Sequence, residues 1–357
     1  MFWRGIAVIN NDIIISNKIT LLDSLRIMDQ TNRKLLIVCE GSKFCGVISI
    51  GDIQRAILKK QNLSSAVSVF VRKEVTYAFT TDDMERVKSK MREDRIESMP
   101  IVDMNGNLCD VIEWNQLFSS EDKGKAESLK LPVVIMAGGK GTRLLPLTNV
   151  IPKPLIPISD KTIMEEILTR FKKAGCEKFF VSVNYMMETI KRYFEQKPEW
   201  DISYIQEKKP LGTGGSLYLL KGKIDSTFFV TNCDTLMNID LIDLVEYHRR
   251  NNNKITVVSA VKSFHIPYGT LKTKIDGLIE EMREKPDLVY QINSGFYVFE
   301  PDILEYVEDE VFLNIPDLIS KVIKDGKRVG AFPVSENAWI DMGNWDEYLM
   351  LVKKYSK

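Results

Sequence analysis

Apolar positions in the second half of the chain come in short runs that alternate with helical patterns. Residues 133–137 are continuously apolar and are followed by glycines, which predicts a buried strand that feeds a tight loop. The spacing of apolar residues predicts helices over 163–174 and 187–195, and residues 179–183 predict a strand between them. Alternating strands and helices indicate a largely parallel α/β sheet. Since ligands collect at the carboxyl ends of such strands, we expect the chemistry in the loops that follow them.

The first third of the chain contains an internal repeat. Residues 36–53 align without a gap on residues 100–117, and each unit reads as strand, turn, strand and short helix. Glycine-containing pairs at 41–42 and 105–106 predict the two hairpin turns. The repeat therefore predicts two copies of one small module.

A polar segment separates this repeat from the rest of the chain. Residues 123–131 are mostly polar and charged, which is typical of a linker. We therefore divide the chain into an N-terminal part over 1–122, the linker, and a C-terminal part over 132–357. The total of 357 residues is ample material for two or three domains.

Composition and charge exclude several classes of protein. The formal net charge is zero and no long basic run occurs, so we expect no nucleic-acid partner. No apolar run is long enough to span a bilayer, and the first residues lack the apolar core of a signal peptide. The five cysteines form no CxxC pair, which favours reduced thiols. We therefore expect a cytoplasmic protein with no membrane partner.

Histidine is scarce, which restricts the chemistry further. The chain has only two histidines, so a His-based triad or a His-rich metal site is not expected. A metal ion would be held by carboxylates, and oxygen ligands favour magnesium (Mg2+).

The loop after the first apolar run combines glycines with cations. It reads Gly138-Gly139-Lys140-Gly141-Thr142-Arg143. Three glycines let the backbone turn its N–H groups toward an anion, and Arg143 can bind phosphate oxygens with two parallel hydrogen bonds. Lys153 adds a cation on backbone stiffened by a proline on each side. This combination indicates a nucleoside triphosphate site, and the alternative is a glycine-rich turn with solvated charges.

Two common phosphate motifs are excluded at this loop. A P-loop needs Ser or Thr after its Gly-Lys pair, whereas Lys140 is followed by Gly141. A dinucleotide fingerprint that starts at Gly139 needs glycine where Leu144 stands. The loop therefore belongs to neither class.

Two later segments also follow predicted strands. The glycine-rich loop 207–215 follows a strand over 202–205 and can bring backbone close to a flat base. Asp234 follows the apolar run 228–230, and a carboxylate there is costly unless it meets a cation.

The extended pattern GGxGTR-L-xPLT…PKPL resembles the signature of the sugar-1-phosphate nucleotidyltransferases. Further segments match that family in order: PLGTGG, N-C-D at 232–234, Y-G at 268–269, E-K-P at 284–286, N-S-G at 293–295 and W-I-D-M-G at 339–343. Directly after N-S-G, the sequence predicts a strand over 296–299. The resemblance implies an α/β fold with a Rossmann-like (GT-A-like) mixed sheet.

The resemblance also implies a role for individual residues. The triphosphate would be bound by Ala137, Gly138, Gly139, Lys140, Gly141, Thr142 and Arg143. The base would face Glu207, Gly212 and Thr213. The sugar 1-phosphate would be bound by Tyr268, Gly269, Glu284, Lys285, Asn293 and Gly295. The catalytic residues would be Arg143, Lys153, Asp234 and Lys285, with Mg2+ on Asp234 and Asp341. The alternative for Asp341 is an N-terminal cap of a helix that starts near residue 345.

The paired repeat resembles a CBS domain pair. Ser49-Ile50-Gly51-Asp52 fits the Ser/Thr-x-x-Asp element that holds the ribose and phosphate of an adenosine ligand in that family, whereas the matching stretch 113–116 departs from it. The resemblance implies that at most one cleft binds an adenine nucleotide through Ser49 and Asp52. The alternatives are that the pair dimerises or packs on the enzyme, and that the two residues simply cap a helix.

The reaction that the resemblance implies is nucleotidyl transfer from a nucleoside triphosphate to a sugar 1-phosphate, with release of pyrophosphate. The two-part layout is similar to the glucosamine-1-phosphate guanylyltransferases of legionaminic acid biosynthesis, which use GTP and make GDP-sugars. The alternatives are UTP, a mannose or heptose 1-phosphate, or a non-catalytic, nucleotide-sensing regulatory subunit. We expect a homo-oligomer.

Overall fold

The computed structural model describes residues 11–31, 33–94, 96–117 and 128–355. The chain divides into two compact units, residues 1–126 and 127–357. The predicted linker over 123–131 lies for the most part outside the described residues, so its boundaries stay a prediction.

The N-terminal unit contains two modules of the same order, as the repeat predicts. Its strands are β1 (Ile14–Ser16), β2 (Leu35–Glu40), β3 (Lys43–Ser49), β4 (Ala78–Phe79), β5 (Ser98–Val102) and β6 (Leu108–Glu113). Its helices are α1 (Leu21–Thr31), α2 (Ile50–Leu58), α3 (Met84–Glu93) and α4 (Trp114–Leu117). β1-β2-β3 and β4-β5-β6 each form a sheet in which the first pair is parallel and the second antiparallel.

The two modules meet through the hairpin turns that the sequence predicts. Lys43 at the start of β3 pairs with Asn107, just before β6. The amide of Phe44 donates to the carbonyl of Gly106 at 3.0 Å, and the amide of Leu108 donates to the carbonyl of Ser42 at 2.9 Å. Backbone hydrogen bonds therefore join the repeats at one edge.

The C-terminal unit is built on one mixed sheet. Its strands are β7 (Val133–Met136), β8 (Pro157–Ile158), β9 (Lys161–Thr162), β10 (Lys178–Val183), β11 (Asp201–Gln206), β12 (Phe228–Asn232), β13 (Thr235–Met237), β14 (Ile255–His265), β15 (Thr270–Thr273), β16 (Ile279–Arg283), β17 (Asp287–Phe299), β18 (Val329–Ser335) and β19 (Trp339–Asp341). Its helices are α5 (Ile163–Lys173), α6 (Met187–Glu195), α7 (Gly212–Gly215), α8 (Leu241–Arg250), α9 (Ile315–Lys324) and α10 (Trp345–Tyr355).

Seven of these described strands pair in the order β11-β10-β7-β12-β17-β14-β18. The first four are mutually parallel, β17 is antiparallel to β12 and β14, and β14 is parallel to β18. The predicted α/β fold with a Rossmann-like mixed sheet is therefore confirmed.

Both faces of this sheet are buried. Along β7, Val133 and Ile135 pack into one apolar core, whereas Val134 and Met136 pack into the other. A strand covered on both faces needs apolar residues at every position, which explains the continuous apolar run in the sequence.

The predicted helices agree with the structure to within a residue. α6 spans the predicted 187–195, and α5 ends at Lys173, with Gly175 at a φ of 83° just beyond it. One expectation is wrong: the strand predicted to start at Phe296 begins at Asp287, because β17 continues past the left-handed Gly295 to pair with β14. In the described part of the chain, no helix is long and apolar enough to cross a membrane.

Candidate active site

The loop after β7 is a closely packed turn. Gly141 has a φ of 63°, and a Cβ there would lie 2.9 Å from the methyl carbon of Thr148. The Thr148 hydroxyl also donates to the Gly141 carbonyl at 3.0 Å. A Cβ on Gly138 would lie 2.8 Å from a carboxylate oxygen of Glu207. The left-handed backbone at 141 therefore favours glycine, and a side chain at 138 would have to displace the Glu207 carboxylate.

Parallel pairing of β7 and β12 brings Asp234 to this loop. Met136 lies opposite Asn232, so both strands end at the same edge of the sheet. Oδ2 of Asp234 accepts a hydrogen bond from Nζ of Lys153 and lies 3.7 Å from Nη2 of Arg143. Lys153 and Asp234 are 7% and 8% exposed. The two opposite charges are buried as a pair, because either one alone would be costly away from water.

Asp341 reaches the same place through a short two-stranded sheet. β13 and β19 are antiparallel with Thr235 opposite Asp341, and the Met342 amide donates to the Asp234 carbonyl at 2.9 Å. Burial, together with the negative charges of Asp234 and Glu347, raises the pKa of the Asp341 carboxyl to about 6. The structure therefore brings together two carboxylates that are far apart in sequence.

The last helix is capped by a different residue. α10 begins at Trp345, and the side-chain oxygen of Asn344 accepts a hydrogen bond from the Glu347 amide at 3.0 Å. The alternative in which Asp341 caps this helix is therefore wrong.

The segment before α10 supports Arg143. A Cβ on Gly343 would lie 2.7 Å from Nη1 and 2.9 Å from Cζ of Arg143, so the guanidinium rests on the glycine backbone. The indole N–H of Trp345 donates to the Leu145 carbonyl at 3.0 Å. Sequence analysis missed these contacts, because the hydrogen-bonded partners are 200 residues apart and no local pattern predicts the pairing.

The second loop of the site is anchored by Glu207. Its carboxylate is 7% exposed and accepts hydrogen bonds from the Ser182 hydroxyl at 2.5 Å and from the Leu211 amide at 3.1 Å. The Leu313 carbonyl accepts hydrogen bonds from two amides of α7 at 2.8 and 2.9 Å. The carboxylate of Glu207 therefore fixes the loop that the sequence predicts to face the base.

The two loops border one cleft of about 420 Å³. Its lining includes ten of the predicted residues: Gly138, Gly139, Gly141, Thr142, Arg143, Lys153, Glu207, Gly212, Thr213 and Asp234. Ala137 is buried, Lys140 is exposed, and neither is among the lining residues; nor is Asp341. Glycine amides and two cations at one end suit the phosphates of a nucleotide.

Six further residues line the cleft, and the sequence analysis assigned no role to them: Met136, Pro210, Asn232, Cys233, Phe312 and Asn314. Burial raises the pKa of the Cys233 thiol to about 12, so this thiol stays protonated. Phe312 and Asn314 reach the cleft through tertiary contacts of a later segment, which no sequence pattern indicates.

Most of the predicted sugar-binding residues lie at the base of an exposed two-stranded ribbon formed by β15 and β16. Tyr268 is 74% exposed, and Glu284 and Lys285 are also exposed. A Cβ on Gly269 would lie 3.0 Å from Oε2 of Glu284, so these two residues meet. None of the four is among the residues that line the cleft.

Asn293 and Gly295 belong to β17 instead. A Cβ on Gly295 would lie 2.4 Å from the side-chain nitrogen of Asn232, which lines the cleft. The Asn293 side chain accepts a hydrogen bond from the Gly295 amide at 3.1 Å and donates to the Tyr297 hydroxyl at 2.9 Å. Gly295 therefore lies against the cleft wall, whereas the Asn293 amide is engaged within its own strand.

Asp234 and Asp341 fit a magnesium ion by the chemistry of their donors. Within residues 11–31, 33–94, 96–117 and 128–355, there is no group of three or more His, Cys, Asp or Glu side chains that could hold a metal ion. Magnesium is usually held by one or two carboxylates plus substrate phosphates and water, so two adjacent carboxylates suffice. The unfavourable like charge at Asp341 also favours a cation beside it.

Ser49 and Asp52 form a capping box at the start of α2. The Ser49 hydroxyl accepts a hydrogen bond from the Asp52 amide, and the Asp52 carboxylate accepts one from the Ser49 amide. The same carboxylate pairs with Arg55, and with Nε of Arg72 at 3.0 Å. In the second repeat, Glu113 pairs with Arg33 at 2.8 Å. The helix-cap role predicted for Ser49 and Asp52 is confirmed.

Comparison with known proteins gives two family matches. A family model described as nucleotidyl transferase matches residues 132–357. A CBS domain model matches residues 6–59 and 67–120.

Individual relatives match the C-terminal unit. The chain is 30% identical over 244 residues to the UTP–glucose-1-phosphate uridylyltransferase of Synechocystis sp., covering 62% of this chain and 63% of that protein. It is 31% identical over 226 residues to the mannose-1-phosphate guanylyltransferase catalytic subunit beta of Drosophila pseudoobscura pseudoobscura, covering 60% of each. The chain thus spans less than two thirds of these relatives. The crystal structure of HddC from Yersinia pseudotuberculosis is 27% identical, with a TM-score of 0.50, over 63% of this chain and 99% of that chain.

Proposed function

Because the chain belongs to the nucleotidyl transferase family, we propose that it transfers a nucleotidyl group from a nucleoside triphosphate to a sugar 1-phosphate and releases pyrophosphate. GTP is the proposed nucleotide and glucosamine 1-phosphate the proposed acceptor, as in legionaminic acid biosynthesis. The PLGTGG loop and relatives named as guanylyltransferases support GTP. The resemblance of the two-part layout supports the acceptor.

The observation that carries this proposal is the convergence of Arg143, Lys153 and Asp234 on one glycine loop. In the proposed complex, the amides of 138–142 and the Arg143 guanidinium bind the triphosphate. Lys153 would move its ammonium from Asp234 to the phosphates, and Asp234 and Asp341 would hold Mg2+. When bound, this ion neutralises charge on the phosphates.

The acceptor needs no general base in this reaction. A sugar phosphate oxygen is already ionised near neutral pH and attacks the α-phosphorus in line with the departing pyrophosphate. We propose that Glu284 binds sugar hydroxyls and Lys285 the sugar phosphate, with Tyr268, Gly269, Asn293 and Gly295 completing the site. The protein then acts by positioning two anions and offsetting their repulsion.

A second candidate is the same reaction with UTP and glucose 1-phosphate. The Synechocystis relative, named as a uridylyltransferase, supports it at a similar identity to the guanylyltransferases. Mannose 1-phosphate is a third acceptor, in line with the names of several relatives.

The CBS domain pair is proposed to bind an adenine nucleotide in its first repeat. Ser49 and Asp52 would contact the ribose and phosphate. In the structure, Arg55 and Arg72 hold the Asp52 carboxylate, so the nucleotide would have to rearrange these two ion pairs.

The experiment measures pyrophosphate release by the purified chain with Mg2+. It crosses GTP, UTP, dTTP, CTP and ATP with glucosamine, N-acetylglucosamine, mannose and glucose 1-phosphates, each with and without AMP. Turnover with GTP and glucosamine 1-phosphate is the expected result. Turnover with a different pair would identify that pair as the substrates. If the folded protein releases no pyrophosphate with any sugar 1-phosphate of a wider panel, the regulatory-subunit alternative is favoured.

A further inference from the structure

The segment that precedes α9 is fixed onto the PLGTGG loop. The Leu313 amide donates to the Leu211 carbonyl at 2.9 Å, and the Ile315 amide donates to the Thr213 hydroxyl oxygen at 3.1 Å. Leu313 and Ile315 are buried at 7% and 1% exposure. The segment is therefore a rigid continuation of the wall that this loop forms.

Phe312 is exposed although the next residue, Leu313, is buried. It lies in this rigid segment, lines the cleft, and is 63% exposed. A large aromatic ring held in water forgoes the stabilisation that burial would give it. A nucleotide base can stack on an aromatic ring at the wall of the cleft, because every base has a π-face.

Asn314 occupies the N-cap position of α9, but its side chain does not cap the helix. It occupies the position before α9, where asparagine normally accepts a hydrogen bond from the helix backbone, yet its side chain makes no such bond. The Thr213 hydroxyl accepts a hydrogen bond from the Ile315 amide, and the backbone carbonyl of Asn314 accepts one from the Asp317 amide at 3.0 Å. The carboxamide of Asn314 lines the cleft and forms no hydrogen bond within the described part of the chain, so its donor and acceptor are available to a ligand.

The cations that line the cleft are grouped together. Arg143 and Lys153 lie at the glycine loop, whereas the wall next to Phe312 carries no cation among its lining residues in the described chain. Lys208 and Lys209, outside this lining, lie 3.8 and 3.5 Å from Glu310. A triphosphate therefore belongs at the glycine loop, which leaves the wall next to Phe312 for the uncharged base.

We propose that Phe312 stacks on the base of the nucleotide and that Asn314 hydrogen-bonds the edge of that base. The inference rests on the proposed function and deepens it: Phe312 would supply affinity for any base, and Asn314 would contribute to the choice among bases.

The test separates contacts to the base from contacts to the phosphates. The full chain is titrated in a calorimeter with GTP and, separately, with inorganic tripolyphosphate, both with Mg2+. Phe312→Ala is expected to weaken GTP binding by roughly tenfold or more, because stacking on an aromatic ring is lost, and to leave the Kd for tripolyphosphate unchanged. Phe312→Tyr keeps the ring and is expected to bind GTP like the wild type.

Val311→Ala is the matched control. Val311 is the neighbouring residue, is 41% exposed, and is not among the lining residues. If Phe312→Ala weakens both ligands equally, or neither, the stacking role is overturned while the proposed function stands. A wild type that binds neither ligand overturns the proposed function and the inference with it.

Asn314→Ala tests the second contact. We expect the ratio of the Kd values for GTP and UTP to change by about fivefold or more, the cost of one lost hydrogen bond, with the melting temperature unchanged because Thr213 takes the Ile315 amide. Phe312→Ala should instead weaken both nucleotides. An unchanged ratio in Asn314→Ala overturns the role of Asn314.

Discussion

The phosphate end of the cleft and the ribbon formed by β15 and β16 are held by different means. Lys153, Glu207 and Asp234 are under 10% exposed and hydrogen-bonded to neighbouring segments. Residues 271–285 of the ribbon are all exposed, and β15 and β16 pair only with each other among the described strands. Groups that stabilise developing charge need to be preorganised, whereas a two-stranded ribbon is marginal by itself and free to adjust. The proposed nucleotide chemistry thus lies on the rigid part, and the proposed sugar recognition on the adaptable part.

The largest effect is expected at the rigid end. Asp234→Asn removes the negative partner of buried Lys153 and a ligand proposed for Mg2+, so kcat for pyrophosphate release should fall by about 10²–10³. Asp276→Asn, in the exposed turn of the ribbon, is the control and should leave kcat unchanged. Retention of more than about a tenth of the activity in Asp234→Asn would contradict the assignment.

The support under Arg143 gives the next effect. Gly343→Ala places a methyl group against the guanidinium, and displacement of this group should lower kcat/KM by roughly 10- to 100-fold. Because the displaced group is the end of a flexible side chain, the melting temperature should stay constant. In an Arg143→Ala background, Gly343→Ala should not lower kcat/KM any further, because no guanidinium is left to displace. Additive losses in the double variant would show that Gly343 acts in another way.

A smaller and more selective effect is expected on the ribbon side. Glu284→Gln keeps the shape of the side chain but weakens its hydrogen bonds, so KM for the sugar 1-phosphate should rise by about three- to tenfold. The Kd for the nucleotide and the melting temperature should not change, because Glu284 is exposed and outside the cleft lining. A matching loss of nucleotide affinity would show that the two regions are not independent.

The smallest effect concerns stability in acid. Burial alone would raise the pKa of Glu165, but hydrogen bonds from Lys197, the Thr162 backbone and Tyr193 hold it below its usual 4.5. A lowered pKa gives stability that is present above pH 4.5 and lost as the pH falls through the folded-state value. Glu165→Gln should therefore flatten the acid side of a melting-temperature profile. Glu281 also has a lowered pKa, through its exposed partner Arg283, yet Glu281→Gln should leave the profile unchanged.

Local patterns were sufficient for the elements that a residue's own neighbours determine. α6 follows from apolar spacing alone, and β7 from a continuous apolar run before glycines. The glycine loop was predictable for the same reason, because its bends and its cations lie within a few residues of each other.

Contacts between distant segments could not be derived in this way. The approach of Asp341 to Asp234 depends on the pairing of β13 with β19, and only a family resemblance anticipated it. Tertiary packing places Gly343 against Arg143 and Phe312 in the cleft. Such packing produces no periodic pattern in the sequence. The extent of β17 was misjudged because a left-handed glycine inside a strand looks like a turn in sequence.

The Lys153–Asp234 pair described above means that the cleft carries its own counter-ion. The buried carboxylate of Asp234 is already paired with an ammonium group in the protein itself. Under the proposed function, Asp234 would exchange the Lys153 ammonium for the metal when the nucleotide enters. The ammonium released from the carboxylate would then be available to the phosphates as they arrive.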